Sequence, residues 1–449
     1  MNTIKIKFSL IFLILLICNG LIAQEDNKSI NEDTVKAIPS QNNTQIVRIR
    51  KSYTLGDGLT FRAPGMSLLF EQSFQVLCNV NTPDNFSTMK SYFNIRRARF
   101  AMTGSFFNDK INFKMRFNLP GNYQSNTTGL RSYNGVMQEG YVEYNFNKEN
   151  TLSFGLRADY IDSREIRIEG ENLGYIERSA VSLAYDAIFD YGLRYKGSFH
   201  LAGRNVIHPY LSITTGDGNP GLQKNYGGYK YGVRLDYLPF GEFSKGGEYY
   251  MDDLARESRP KLVLGFVYSY NTSATSATGA TGGRYLYGDV NKSILLPSFS
   301  KYNFDYLFKY KGFYSMGSLI ATKATVPDGI AGEFKLSGSF TAYTNQTPDQ
   351  IKATVLSRLN LGSGFNFQAG YLFHSNWAFG GRYSYLNDDV QSANFAYQNR
   401  FYTFVASKYL SEHNLKIQSE LGYQELKQSL QTSSQKGNLY ATVMLTVQL

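Results

Sequence analysis

Lys110-Ile-Asn-Phe-Lys-Met-Arg-Phe-Asn-Leu119 alternates polar and apolar side chains without a break. The same texture returns in Thr151–Tyr160, where Leu152, Phe154, Leu156, Ala158 and Tyr160 are apolar. In Tyr229–Tyr237 the apolar set is Tyr229, Tyr231, Val233, Leu235 and Tyr237, with Lys230, Gly232, Arg234 and Asp236 between. Successive side chains of a strand point to opposite faces, so each stretch has one greasy face and one charged face. A soluble sandwich turns the greasy faces into a core. A membrane barrel turns them to lipid and leaves the polar faces to line a lumen.

Composition narrows the choice. The 449 residues show no change of texture that would mark a domain boundary, and Tyr 35 and Phe 32 dwarf Trp 1. Tyrosine, apolar in the ring and wet at the tip, suits a membrane–water interface. Mean hydropathy is −0.32, and past residue 23 no run approaches the ~20 apolar residues that a membrane helix needs. The formal charge of +10 permits an anionic partner. Lys5 and Lys7 precede the apolar run Phe8–Cys18, and Asn-Gly-Leu-Ile-Ala follows at 19–23. That is the plan of a secretory signal cleaved after Ala23. The rival, a lipoprotein signal at Cys18, is disfavoured by Ile17 where a small residue is wanted. Cleavage leaves Cys78 without a partner, and residues 24–55 read as a flexible periplasmic lead-in.

Connector lengths point to the topology. Sixteen candidate strands run from 66–80 to 439–449, within a barrel domain at 56–449. Tight turns at Phe106–Asp109, Asn147–Asn150, Lys311–Gly312, His374–Asn376 and Ser411–Asn414 follow even-numbered strands. Long connectors at 120–139, 161–189, 271–301, 323–364, 386–400 and 425–438 follow odd-numbered ones. Short turns on one rim and long loops on the other are the organisation of an outer-membrane barrel. The charged connector 238–260 is the exception, and 334–343 with 351–361 would add a pair to make eighteen strands.

Several stretches carry a resemblance. They are Phe93-Asn-Ile-Arg-Arg-Ala-Arg-Phe100, Gly155-Leu-Arg-Ala-Asp-Tyr-Ile-Asp-Ser-Arg-Glu165, Ile176-Glu-Arg-Ser179 and Tyr310-Lys-Gly-Phe313. Gly364–Phe373, Asn376-Trp377 with Gly381-Arg-Tyr383, and Ser407–Leu410 continue it. In order and spacing they resemble the phosphate-selective porin O and P family over roughly residues 55–449. The resemblance implies an outer-membrane, trimeric, sixteen-stranded channel that favours anions, with phosphate as solute and lipopolysaccharide and the barrel assembly machinery as partners. It implies no cofactor. The chain departs from the pattern at Leu449, where outer-membrane barrels commonly end in an aromatic.

With apolar faces toward lipid, the alternation turns Lys114, Arg116, Arg157, Arg194, Lys196, Lys230, Arg234, Lys261, Lys309, Arg382 and Lys416 inward. Glu143, Asp159, Asp190, Asp236, Asp305 and Glu420 join them. An excess of inward Arg and Lys is how pores favour anions. The bland alternative is that these charges pair across strands and merely fix register. Arg97 and Arg99 point inward, while Phe93 and Ile95 break the phase and place Arg96 at a bulge or rim. The family places basic residues of this motif along its phosphate path. Connector 161–189, with Asp162, Arg164, Glu165, Arg167, Glu177, Arg178 and Asp186, is the expected constriction loop by that precedent.

Enzyme readings find little support. The four histidines, His200, His208, His374 and His413, lack metal-ligand spacing in sequence. No Gly-x-Ser-x-Gly elbow or Walker loop is present, and Gly216-Asp-Gly-Asn-Pro-Gly221 opens no helix. Basic residues that alternate with lipid-type side chains also argue against nucleic acid. A surface barrel whose loops carry a structural or adhesive function remains the alternative to a channel, with an outer-membrane enzyme a distant third.

Overall fold

The computed structural model describes residues 54–119, 136–158, 160–216, 228–276, 285–335, 338–387 and 397–449, and the backbone of Asn122–Gln124 and Ser132–Asn134. The expected signal peptide, most of the lead-in and Asp159 lie outside the described residues. Sixteen long strands make the wall. They are β1 (Met66–Pro83), β2 (Lys90–Phe106), β3 (Ile111–Asn118), β4 (Met137–Asn145), β5 (Asn150–Ala158) and β6 (Phe189–Gly197). Next come β7 (Val206–Thr214), β8 (Lys230–Leu238), β9 (Lys261–Asn271), β10 (Ser298–Tyr310) and β11 (Phe313–Thr325). The last are β12 (Gly362–Leu372), β13 (Trp377–Leu386), β14 (Gln398–Ser411), β15 (Leu415–Leu426) and β16 (Gly437–Gln448). Each pairs antiparallel with the next, and β16 pairs with β1, so the sheet closes.

Strand β8 shows which way the wall faces. Lys230, Arg234 and Asp236 are buried, while Tyr231, Val233 and Leu235 are 45%, 49% and 42% exposed. Burial therefore runs opposite to a soluble protein: charges are inside and the large apolar side chains cover the outside. Phe266, Tyr302, Leu319, Phe367 and Phe404 continue this outer belt on other strands. Such a surface is stable only against lipid. Among the described residues no helix is long and apolar enough to cross a membrane; the strands do so. The chain is a transmembrane β-barrel.

The rims sort as the connector lengths require. Residues 311–312 join β10 to β11, with Tyr310 paired to Phe313. Lys311 and Gly312 both have positive φ, 48° and 88°, the left-handed pair that a two-residue hairpin turn demands. Connectors on the opposite rim are long. Among the described residues, the larger of them, between β11 and β12, holds no further wall strands. Gly332–Phe334 and Phe340–Ala342 form a small sheet with Leu286–Gly288, and Pro348–Leu356 is a helix. This corrects the eighteen-strand alternative. Thr347 and Gln350 cap that helix reciprocally, a local signal that outweighs a strand at 351–361.

Two connectors turn into the lumen. The first, 159–188, carries the short helices α1 (Arg164–Arg167) and α2 (Ala180–Tyr185). The second is the exceptional short-rim connector 239–260. Ile168, Leu173 and Tyr175 of the first meet Phe243 and Met251 of the second in one apolar cluster with inward Val206, Leu238, Val263, Leu307 and Met316. The inner face of β7–β11 is thus partly apolar, because it backs a packed loop rather than water. A short strand, Leu59–Ala63, pairs with Met66–Phe70 at the foot of β1.

Candidate functional site

Loop 159–188 closes on itself at its neck. Asp162 accepts hydrogen bonds from the Ala187 and Ile188 backbone amides at 3.1 Å, and the Ser163 amide donates to Asp186 at 3.0 Å. Lys301, on β10, is ion-paired with Asp162. Burial pushes the Asp186 carboxyl up to about 6, against the pull of Lys301. Ser179 caps α2 by accepting from the Ser182 amide, and its own hydroxyl donates to Glu165 at 2.6 Å. Apolar residues of α2 then pack on inward Ile320 and Leu386.

Ion pairs fasten the loop on both sides. Toward β8–β13, Arg164 lies 2.8 Å and Arg167 2.6 Å from Asp236, while Arg382 contacts Glu165 at 3.3 Å and donates to the Glu177 carbonyl at 2.9 Å. Arg178 donates to the Ile168 carbonyl at 2.7 Å, inside the loop. Toward β1–β4, Arg99 meets Glu171 at 2.7 Å and Lys114 meets Glu169 at 2.8 Å. Arg116 also pairs with Glu169, and Arg96 with Glu177. Burial alone would raise Glu171 and Glu177, yet Arg99 beside the first and Arg96 and Arg97 beside the second hold both at about 2. Pairing between β1 and β2 slips between Gln75 and Val76, leaving Arg96 as the extra residue of a bulge, as the broken phase predicts.

Between this loop and the wall lies a cavity of about 760 Å³. Its lining extends from Leu183 and Phe189, at the outer end of β6, to His413, Asn414 and Gln448 at the short-turn rim. Arg96, Arg97, Arg99, Lys114, Arg116 and Arg157 line the wall side, and Arg167 and Arg178 the loop side. Lining Arg and Lys outnumber the acids Glu71, Glu139, Glu169, Glu177, Asp252 and Glu412. Aromatic faces are interleaved: the Arg157 guanidinium sits 4.2 Å from the Tyr141 ring centre and 4.6 Å from that of Tyr160.

The inward basic residues therefore divide. Arg194, Lys196, Lys230, Arg234, Arg382 and Arg164 do not line this cavity. Arg194 donates to the Asp190 carbonyl at 2.7 Å, Lys230 lies 3.6 Å from Asp190, and Lys196 bonds the Tyr249 hydroxyl at 3.2 Å. These residues hold wall, loop and connector together. Tyr160, placed outward by simple alternation, instead lines the cavity and is 8% exposed, because the chain leaves the wall after Ala158. Glu169 and Glu171 had no periodic signal, since they sit in a loop. Lys301 had one: alternation from Asp305 through Asn303 extends inward to it.

Residues 71–288 match the model of the family described as phosphate-selective porin O and P. No curated protein matches the chain. Among solved structures, OmpT of Vibrio cholerae is 8% identical with a TM-score of 0.49, covering 87% of this chain and 100% of its own. The anion-selective porin from Comamonas acidovorans is 9% identical, TM-score 0.47, covering 86% and 100%. Pseudomonas putida OprB is 11% identical, TM-score 0.47, covering 85% and 94%. With a closed sixteen-stranded wall, a lipid-facing apolar belt and a charged loop drawn into the lumen, the chain is a transmembrane β-barrel that matches the model of the phosphate-selective porin O and P family over residues 71–288.

Proposed function

We propose that the barrel is a passive channel that favours small anions, phosphate among them, and that they travel through the cavity between β1–β5 and loop 159–188. The observation that carries this is the lining itself: Arg96, Arg97, Arg99, Lys114, Arg116 and Arg157 follow one another along the wall. Arginine offers a planar fork of donors that suits phosphate oxygens, and a succession of weak sites lets an ion step onward. Glu169, Glu171 and Glu177 compete for the same donors, so anions meet a partly neutralised wall and the preference is moderate. Ordinary side-chain exchange suffices for passage, and no catalytic step is required.

Planar-bilayer recordings test the reading. A reversal potential in a KCl gradient that shows anion preference, with chloride current inhibited by added phosphate, supports it. Cation preference or no conductance refutes it. A homotrimer embedded among lipopolysaccharide is the proposed assembly, checked by the mass of the detergent-extracted particle.

A second reading assigns a surface role to the ordered unit on the long-loop rim. There Tyr287, Ile330 and Val355 form their own apolar cluster beneath the small sheet. Excision of 326–361 that leaves conductance intact but abolishes a surface phenotype would favour it.

A further inference from the structure

We propose that His208, Glu248 and Glu242 form a binding site for a divalent transition-metal ion of the zinc class, tying β7 to the connector 239–260. The site is independent of the anion pathway. His208 sits on β7 opposite Asp236 of β8. It is 4% exposed, yet among the described residues neither ring nitrogen has a hydrogen-bond partner. Buried polar groups are nearly always satisfied, and one that is not points to a missing partner. Glu248 Oε2 is a second buried atom without a hydrogen bond.

The spacing fits an ion. Donor atoms of His208, Asp236 and Glu248 all lie within 4.8 Å of one another. One ion with bonds of about 2.0–2.2 Å in tetrahedral geometry sets its donors about 3.4 Å apart, so a small shift of the Glu248 carboxylate toward the ring brings the two onto one ion. Glu242 Oε1 stands 3.6 Å from His208 Nε2, close to that donor spacing, and this exposed side chain can turn toward Glu248 to complete the set. Asp236 is already engaged by Arg164, Arg167 and Arg234, so its charge is spent and it is given no coordinating role.

Those arginines also decide which ion. Arg164 lies 3.9 Å from Glu248, so the local field is not strongly negative. A hard cation such as calcium or magnesium, held by charge and wanting six or more oxygens, is poorly served. An imidazole with two carboxylates suits zinc, whose affinity rests on ligand bonds. The Glu242 side chain is 55% exposed and gives the ion a way in. The sequence conceals the site because its donors come from a wall strand and a connector that folds back beneath it.

The test uses the intact barrel in detergent, stripped with chelator and titrated calorimetrically with zinc chloride alone. Wild type should take up zinc saturably at a single site per chain, and calcium should not compete. His208→Ala should weaken uptake at least about tenfold, the loss that even an outer partner of a metal ligand causes. Glu242→Gln, altering an exposed side chain, should also weaken it and keeps the test decisive if His208→Ala does not fold. Absence of saturable uptake by wild type, or wild-type affinity in folded His208→Ala and Glu242→Gln, overturns the proposal.

Discussion

Arg234 on β8 reaches over Gly265 on β9 to grip Asp305 on β10, with hydrogen bonds of 2.8 and 2.6 Å. The intervening strand allows this only because position 265 has no side chain. A Cβ there would stand 2.3 Å from both Arg234 Nη2 and Asp305 Oδ1. Asp305 also accepts the Arg164 backbone amide at 2.9 Å, so the same carboxylate that bridges three strands holds the loop.

Removing one partner of this buried pair leaves an uncompensated charge. Asp305→Ala should therefore destabilise the barrel by about 3–5 kcal/mol, read as a lower urea midpoint of unfolding. Because the loop loses its Arg164 anchor, single-channel noise should rise in the same variant. Gly265→Ala should move both readings in the same direction. Unchanged stability in both variants would contradict the role assigned to the bridge.

The outward belt predicts a sharp contrast between neighbours. Leu235→Arg places a charge on the lipid face, which costs about 2–4 kcal/mol near the bilayer midplane. The inward-facing Ser212 of the adjacent strand β7, which pairs with Gly232 of β8, should tolerate Ala with little loss of assembly. The measurement is the fraction of heat-modifiable, folded barrel recovered from membranes. Equal recovery of Leu235→Arg and wild type would mean that β8 does not face lipid.

Glu171 and Glu177 neutralise the arginines of the cavity wall. Glu171→Gln with Glu177→Gln should release Arg96, Arg97 and Arg99 to permeating ions. The anion-to-cation permeability ratio should increase several-fold, since fixed charges beside low-dielectric walls bias permeation strongly. The reversal potential in a KCl gradient gives the ratio directly.

The same carboxylates set an acid limit. Their folded values, about 2, lie below the ordinary 4.5. A depressed carboxylate contributes stability that is fully present above its ordinary value and lost as pH falls through the folded one. Anchoring of the loop to β2 should thus be unchanged from pH 7 down to about 5, and fail as pH approaches about 2. Channel noise recorded across that range should rise only at the acid end, and the double Gln variant should lack that transition.

Much of this architecture was legible in the chain. Alternation in Lys110–Leu119 and Tyr229–Tyr237 located wall strands and their faces, because a side-chain period of two survives any curvature of the sheet. Connector parity gave the rims. The bulge at Arg96 was readable too, since Phe93 and Ile95 could not share a face with Ala98 and Phe100. What sequence could not supply was the company kept inside the barrel. Arg97 and Arg234 both follow the inward rule, yet the first lines a cavity and the second lies beneath a loop. That distinction depends on where residues 159–188 come to rest, and on the partners Glu169, Glu171 and Asp305 supplied from distant segments. Connector 239–260 stood out as an exception, but nothing in its spacing showed that Met251 would enter the lumen.

The short strand Leu59–Ala63 has a consequence for how the cylinder is sealed. It occupies the edge of β1 from Met66 to Phe70, while β16 takes the same edge from Ser73 to Pro83. Gln72 and Leu449 exchange backbone hydrogen bonds at the junction. Two segments far apart in the chain thus share one edge end to end, and the earlier acts as a doorstop for the later. Were β16 to slide one position toward the short-turn rim, it would run into Leu59, and every side chain on it would swap lipid for lumen. The N-terminal strand thereby measures where the final seam must lie.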